Sequence, residues 1–245
     1  MNEQIKPYII AHRGNSSEAP ENTIAAIKKA LEIGVDFVEI DIRLSADHIP
    51  VVIHDASLTR VTGQKHVPHI QALPFSKIQE FDVGTKFGKS FEGEKIPRLI
   101  DVLGLNWGQA GLMVEIKEGH HSPKEMVDAV VKEITSASPI LPRLIIGSFS
   151  VNIFEESKKM GLERIGIVEK KEYIERFIQA GAKRMAVWHK IITKDLMKLL
   201  LAHKIEVWSF TVDDNDLATS LVDLGVRGII SNVPKKFLGS TKLST

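Results

Sequence analysis

Two apolar rhythms alternate along this chain from one end to the other. Short runs rich in Ile and Val occur at Tyr8–Ala11, Phe37–Arg43, Leu112–Lys117, Leu144–Ser148, Arg164–Val168, Met185–Trp188, Glu206–Thr211 and Gly228–Ser231. Their length and composition predict strands buried on both faces of a parallel sheet. Between them lie amphipathic segments predicted as helices: Glu21–Ile33, Leu99–Trp107, Lys124–Ser136, Val151–Met160, Lys171–Ala180, Thr193–His203 and Asp213–Leu224. Their apolar residues recur at three- and four-residue spacing, as with Leu196, Leu199 and Leu200 opposite Lys194 and Lys198. Ser122-Pro123 and Thr193 are helix-start signals, and Gly161, Gly181 and Gly225 stand where helices should stop.

Eight strands separated by helices predict an α/β architecture closed into a (β/α)8 TIM barrel, with an open doubly wound sheet as the competing arrangement. One region breaks the rhythm. Pro50–His54 reads as a further strand, yet only Leu44–Ile49 separates it from the second run. A parallel crossover needs a dozen or so residues, so this strand must return antiparallel as a hairpin. The stretch from Ala56 to Pro97 carries Gly63, Gly84, Gly88 and Gly93 and no clear period. It is expected to be a small insertion, at about 56–97, beside the mouth of a single domain spanning residues 1–245.

Composition narrows the functional classes. With 43% hydrophobic and 26% charged residues, the 245-residue chain has the material for one large core. A net charge of +1, with no long run of either sign, argues against nonspecific nucleic-acid or membrane binding. Cysteine is absent, so any metal must be held by oxygen or imidazole. The apolar run Tyr8–Ala11 is shorter than the roughly 7–15 residues of a secretory core, and nothing approaches the ~20 of a membrane span. The expectation is a cytoplasmic protein without stable membrane insertion; its oligomeric state is left open.

In a barrel, side chains at the C-terminal ends of strands face the active site. The first strand ends in His12-Arg13-Gly14, an imidazole for proton transfer and a planar fork for phosphate. In Phe37-Val38-Glu39-Ile40-Asp41-Ile42-Arg43, Glu39 and Asp41 are two residues apart and share one face of the pleat. Two inward carboxylates repel unless a cation neutralises them. Glu115, in Met113-Val114-Glu115-Ile116-Lys117, can complete an all-oxygen site that suits Mg2+ or Ca2+ better than Zn2+. Lys117, on the same face as Glu115, can meet an anionic substrate, or the two can simply pair with each other. The hairpin strand delivers His54 as a second imidazole. This constellation matches phosphoryl chemistry: cations neutralise phosphate while one imidazole takes a proton and the other gives one.

His12-Arg13-Gly14, Ala19-Pro20-Glu21-Asn22-Thr23, Glu39-Ile40-Asp41, Pro50-Val51-Val52-Ile53-His54-Asp55, Glu115-Ile116-Lys117, Ser148-Phe149-Ser150, Trp208 with Thr211-Val212, and Gly228-Ile229-Ile230-Ser231-Asn232 follow one another along the chain. In order and spacing they resemble the glycerophosphodiester phosphodiesterase family, over essentially the whole chain. The resemblance implies a barrel with an insertion after the hairpin strand and a divalent metal on Glu39, Asp41 and Glu115. It implies His12 and His54 as the acid–base pair, Arg13 and Lys117 on the phosphate, and Phe149 and Trp208 shaping the glycerol end of the pocket. The implied partner is a small-molecule glycerophosphodiester such as glycerophosphocholine or glycerophosphoethanolamine, cleaved to sn-glycerol 3-phosphate and an alcohol. Lysophospholipase D-like action on lysolipids and a non-catalytic phosphate-ligand binder are the alternatives.

The chain departs from the family pattern at Thr59-Arg60-Val61, at Ile96-Pro97-Arg98-Leu99-Ile100-Asp101 and at Arg227. None of these touches the expected ligands or imidazoles. His120-His121, His66 and His69 are expected in solvated loops, Trp107 in packing, and Lys235-Lys236 at a solvated helix start.

Overall fold

The computed structural model describes residues 6–65, 67–135 and 140–239. Eight parallel strands close on themselves: β1 (Tyr8–His12), β2 (Phe37–Leu44), β4 (Gly111–Ile116), β5 (Leu144–Ser148), β6 (Glu163–Val168), β7 (Arg184–Trp188), β8 (Glu206–Phe210) and β9 (Gly228–Ser231). Closure is made by β1, which pairs with β2 on one side and β9 on the other. The (β/α)8 barrel therefore holds, and the open doubly wound alternative is excluded. The hairpin expectation also holds: β3 (Pro50–Val52) runs antiparallel to β2, with Arg43 opposite Val51.

The helices are α1 (Ile24–Glu32), α2 (Thr59–Thr62), α3 (Phe75–Ile78), α4 (Leu99–Leu103), α5 (Pro123–Ile134), α6 (Val151–Glu156), α7 (Ile174–Gln179), α8 (Lys194–Ala202) and α9 (Asn215–Asp223). Several are shorter than their apolar periodicity predicts, for local reasons. Thr23 caps α1 by accepting from Ala26 N, so Glu21 and Asn22 lie outside the helix, and Asn22 takes a left-handed φ of 59°. Asp214 caps α9 in the same way, which leaves Asp213 free of the helix. Gly104 ends α4, and Ser157–Met160 tightens into a 3-10 turn after α6. The predicted end of α5 at Ser136, like His66, lies outside the described residues.

Two apolar clusters pack helices against the outside of the barrel, and a third fills its interior with Ile10, Met113, Ile145, Ile165, Ile167, Ala186, Trp208 and Ile230. The bottom of the interior is closed by two rings that need glycine opposite them. Trp208 is the register partner of Gly228, where a Cβ would lie 2.5 Å from the indole. Phe37 is likewise opposite Gly111, where a Cβ would lie 2.2 Å from the ring. The insertion packs Leu58, Ile70, Ile78, Val83 and Ile96 in a small apolar cluster with Val51 and Ile53 of the hairpin segment. At α4, the Arg98–Asp101 departure is a local cap: Asp101 accepts from the Arg98 backbone N–H and pairs with its guanidinium. No helix among the described residues is long and apolar enough to cross a membrane.

Candidate active site

Buried strands bring acids to the C-terminal mouth of the barrel. The register pairs Asp41 with Glu115 directly, and Glu39 with His12 across the β1–β2 seam. Ligand oxygens of Glu39, Asp41 and Glu115 all lie within 4.8 Å of one another, and all three residues are buried. Burial raises the Glu39 carboxyl well above its usual range, and the neighbouring Asp41 and Glu115 push it the same way. Burial also raises Glu115, to about 7, although Lys117 opposes the shift. Asp41 is the exception: burial works against its charge, but Lys117, Arg13, His54 and His12 together outweigh it and hold the carboxyl low.

Fixed cations flank this cluster. Lys117 Nζ contacts Glu115 Oε1 and lies 2.9 Å from Asp41 Oδ1. Arg13 has a left-handed φ of 56°, which turns its backbone N–H onto Glu39 Oε2 at 2.9 Å while its Nε lies 3.2 Å from Asp41 Oδ2. Gly14 makes that bend possible: its φ is +78°, and a Cβ there would lie 2.6 Å from the backbone of Ala26. Lys117 thus meets Asp41 Oδ1 and Glu115 Oε1, whereas Glu39 Oε1 is buried with no hydrogen-bond partner. Three converging carboxylates, one with an unpartnered buried oxygen, are the donor set that suits a hard divalent cation.

Two imidazoles border the same cavity, which measures about 240 Å3 and is also lined by Arg13, Lys117 and Phe149. His12 Nδ1 lies 2.7 Å from Asn232 Oδ1. The Asn232 amide is oriented by Asp213, which accepts from its Nδ2 at 2.8 Å. The oxygen facing His12 can only accept, so Nδ1 carries the proton and Nε2 is bare in the neutral ring. Burial lowers the His12 pKa to about 4, with Arg13 adding to the effect, so the ring is neutral at pH 7. His54 Nδ1 lies 2.7 Å from Asp55 Oδ1, and Asp55 is itself held by Arg60. Burial lowers His54 as well, while Asp41 and Asp55 act to raise it.

The remaining expected residues divide. Phe149 lines the cavity, its ring 5.6 Å from Lys117 Nζ. Trp208 does not. It is fully buried at the bottom of the barrel, where its indole N–H donates to Glu206 and the Arg184 guanidinium lies over its ring. The ring that faces the cavity from β8 is Phe210, two residues nearer the C-terminal end, edge-to-face with Phe149. That position was readable, since Phe210 is the inward residue closest to the strand end. Other supports escaped the sequence reading as roles: Asn22 donates to Asp41 Oδ2 and accepts from Asp41 N, and Glu21 accepts from both Arg13 and Arg60. Arg60, one of the departures, is thereby a strut of the wall. His69 and His120 are exposed as expected, whereas His121 turns inward toward His48.

A closed barrel with a buried acidic cluster, two imidazoles and two fixed cations at its mouth defines a phosphodiester-cleaving hydrolase. The chain belongs to the glycerophosphoryl diester phosphodiesterase family, whose pattern matches residues 12–236. It is similar to a glycerophosphodiester phosphodiesterase of Caldanaerobacter subterraneus, with 31% identity over 239 residues, covering 96% of this chain and 97% of that one. Among solved structures it resembles a phosphodiesterase of Oleispira antarctica in complex with the product sn-glycerol-3-phosphate, with 28% identity, a TM-score of 0.89 and 98% of each chain covered. It also resembles the glycerophosphodiester phosphodiesterase of Thermotoga maritima, with 26% identity, a TM-score of 0.77 and coverage of 94% of this chain and 97% of that one.

Proposed function

We propose that this chain hydrolyses glycerophosphodiesters to sn-glycerol 3-phosphate and an alcohol, with a divalent cation, Mg2+ or Ca2+, held by Glu39, Asp41 and Glu115. The observation that carries the proposal is the convergence of three buried carboxylates, with Glu39 Oε1 left unpartnered, beside the cavity that also presents His12 and His54. The similarity to the Oleispira phosphodiesterase, solved with sn-glycerol-3-phosphate, supports the choice of product.

When bound, the cation neutralises charge on the phosphate and lowers the barrier to attack at phosphorus. Arg13 and Lys117, both anchored to the carboxylates, offer donors to the remaining phosphate oxygens. His12 presents a bare Nε2 and takes the proton from the attacking hydroxyl. His54 acts in its doubly protonated form, which Asp41 and Asp55 favour against burial, and gives its Nε2 proton to the departing alcohol oxygen as the old P–O bond breaks. Phe149 and Phe210 pack against the carbon skeleton at the cavity wall. A neighbouring cavity of about 360 Å3 shares Phe149 and carries Glu118, Glu169, Lys170 and Arg176. So charged a lining favours a small polar alcohol over the acyl chain of a lysolipid.

The test is release of glycerol 3-phosphate from glycerophosphocholine and glycerophosphoethanolamine, with Mg2+ or Ca2+ and after chelation. Product that depends on the added ion supports the reading. Saturable substrate binding without product under every ion would replace it with a phosphate-ligand binder.

A further inference from the structure

A second group of potential ligands lies apart from the catalytic cavity. His48, in the turn between β2 and β3, meets His121 and Glu125 at the start of α5, and one ligand atom from each falls within 4.8 Å of the others. The two imidazole rings are 4.6 Å apart at 62°. His121 Nε2 is buried and has no hydrogen-bond partner. Glu125 spends Oε2 on the Ser122 N–H and hydroxyl, both at 2.8 Å, which leaves Oε1. His48 sits at a left-handed φ of 59° and is exposed.

We propose that His48, His121 and Glu125 form a second metal site, selective for an imidazole-preferring ion such as Zn2+. Two imidazoles and one carboxylate are a borderline-soft donor set that favours Zn2+, Co2+ or Ni2+ over Mg2+ and Ca2+, the reverse of the all-carboxylate centre. Bonds of roughly 2.0–2.1 Å set tetrahedral ligands about 3.3 Å apart, inside the 4.8 Å within which these atoms lie. His48 and Glu125 are exposed, so their side chains can close the gap without disturbing the core. The positive end of α5 works against a cation, and the Glu125 carboxylate offsets it.

The ion ties two loops together. One is the β2–β3 turn; the other is the segment leaving β4, which runs from Lys117 through Glu118 to His121. Arg43 already bridges this region to the catalytic wall, donating from Nη1 to the Glu118 carbonyl at 3.0 Å and from Nε to the His54 carbonyl at 2.8 Å. Zn2+ at this clip fixes the loop that continues from Lys117.

The experiment is calorimetric titration of Zn2+ into the full chain with Mg2+ or Ca2+ in large excess, so that the acidic centre is filled. The expected result is one Zn2+ bound per chain and a melting temperature that rises with Zn2+. His121→Ala and His48→Asn should each weaken Zn2+ binding at least tenfold. Asn is chosen at 48 because it tolerates a left-handed φ. Both variants should melt like the parent without Zn2+ and keep its zinc-free activity. Glu39→Gln, which removes a ligand of the acidic centre, should leave the Zn2+ affinity unchanged. Zinc binding that is absent under Mg2+ excess, unchanged in both histidine variants, or lost in Glu39→Gln overturns the proposal.

Discussion

The Nδ1 of His12 and the side-chain oxygen of Asn232 are 2.7 Å apart although 220 residues separate them in the chain. The contact selects one tautomer. Asp213 fixes the amide by accepting from both the Asn232 backbone N–H and Nδ2, so the imidazole has no choice but to donate from Nδ1. Asn232→Ala removes that constraint without touching substrate. The expected outcome is a fall in kcat of about one to two orders of magnitude with little change in KM. Steady-state kinetics on glycerophosphocholine measure it. Asn232→Asp, which keeps an acceptor facing Nδ1, should restore part of the loss and move the pH profile upward by stabilising the imidazolium.

Each imidazole is partnered at Nδ1, which leaves Nε2 of both for the proposed proton transfers. His12→Ala and His54→Ala should each lower kcat by about 100- to 10,000-fold, the usual contribution of a positioned acid or base. His54 is a third exposed and His12 less so, so neither truncation opens a large core cavity. Thermal melting close to that of the parent is expected alongside the kinetic loss. Turnover near the parent value in either variant would remove that ring from the mechanism.

Much of this site was legible because its logic is local. Glu39 with Asp41, and Glu115 with Lys117, share a strand face by the two-residue pleat, and a closed barrel leaves that face nowhere to go but inward. The eight strands were legible for the same reason, since burial on both faces writes an unbroken apolar run. What the sequence hid is non-local. Nothing around Asn232 announces a partner at His12, and nothing in the turn holding His48 announces His121. Trp208 and Phe210 share one face, so composition alone favours the larger ring. Depth along the strand decides between them, and it puts Trp208 at the bottom.

Burial holds the Glu115 carboxyl near pH 7, and Glu39 is raised as well, so the metal-free cluster retains protons that solvated carboxylates would have lost. Cation and proton compete for the same oxygens. As pH falls through about 7, Glu115 becomes protonated and affinity for Mg2+ or Ca2+ should weaken; as pH rises, affinity should increase as Glu115 and the raised Glu39 lose their protons. Cation binding at pH 7 should release protons, seen as a binding enthalpy that changes with the ionisation enthalpy of the buffer. Glu115→Gln should reduce the release to the share that Glu39 holds and remove most of the affinity. A cation affinity flat between pH 6 and 8, about one unit either side of that pKa, would contradict the raised carboxyl.

Trp208 separates stability from substrate contact. It is fully buried, with its ring filling the space that Gly228 leaves open and its N–H committed to Glu206. Truncating a buried aromatic costs about 3–5 kcal/mol, or a melting temperature lower by roughly 10 °C in a chain of this size. Trp208→Phe should keep much of the packing and lose the hydrogen bond, giving a smaller drop with KM for glycerophosphodiesters unchanged. Gly228→Ala should destabilise by the opposite route, since its Cβ would lie 2.5 Å from the indole. Phe210→Ala is the contrasting case: the ring faces the cavity and meets Phe149 edge-on, so KM should rise severalfold while melting shifts little. If KM rose in Trp208→Phe and stayed fixed in Phe210→Ala, the glycerol wall would have to be moved from the mouth of the barrel to its floor.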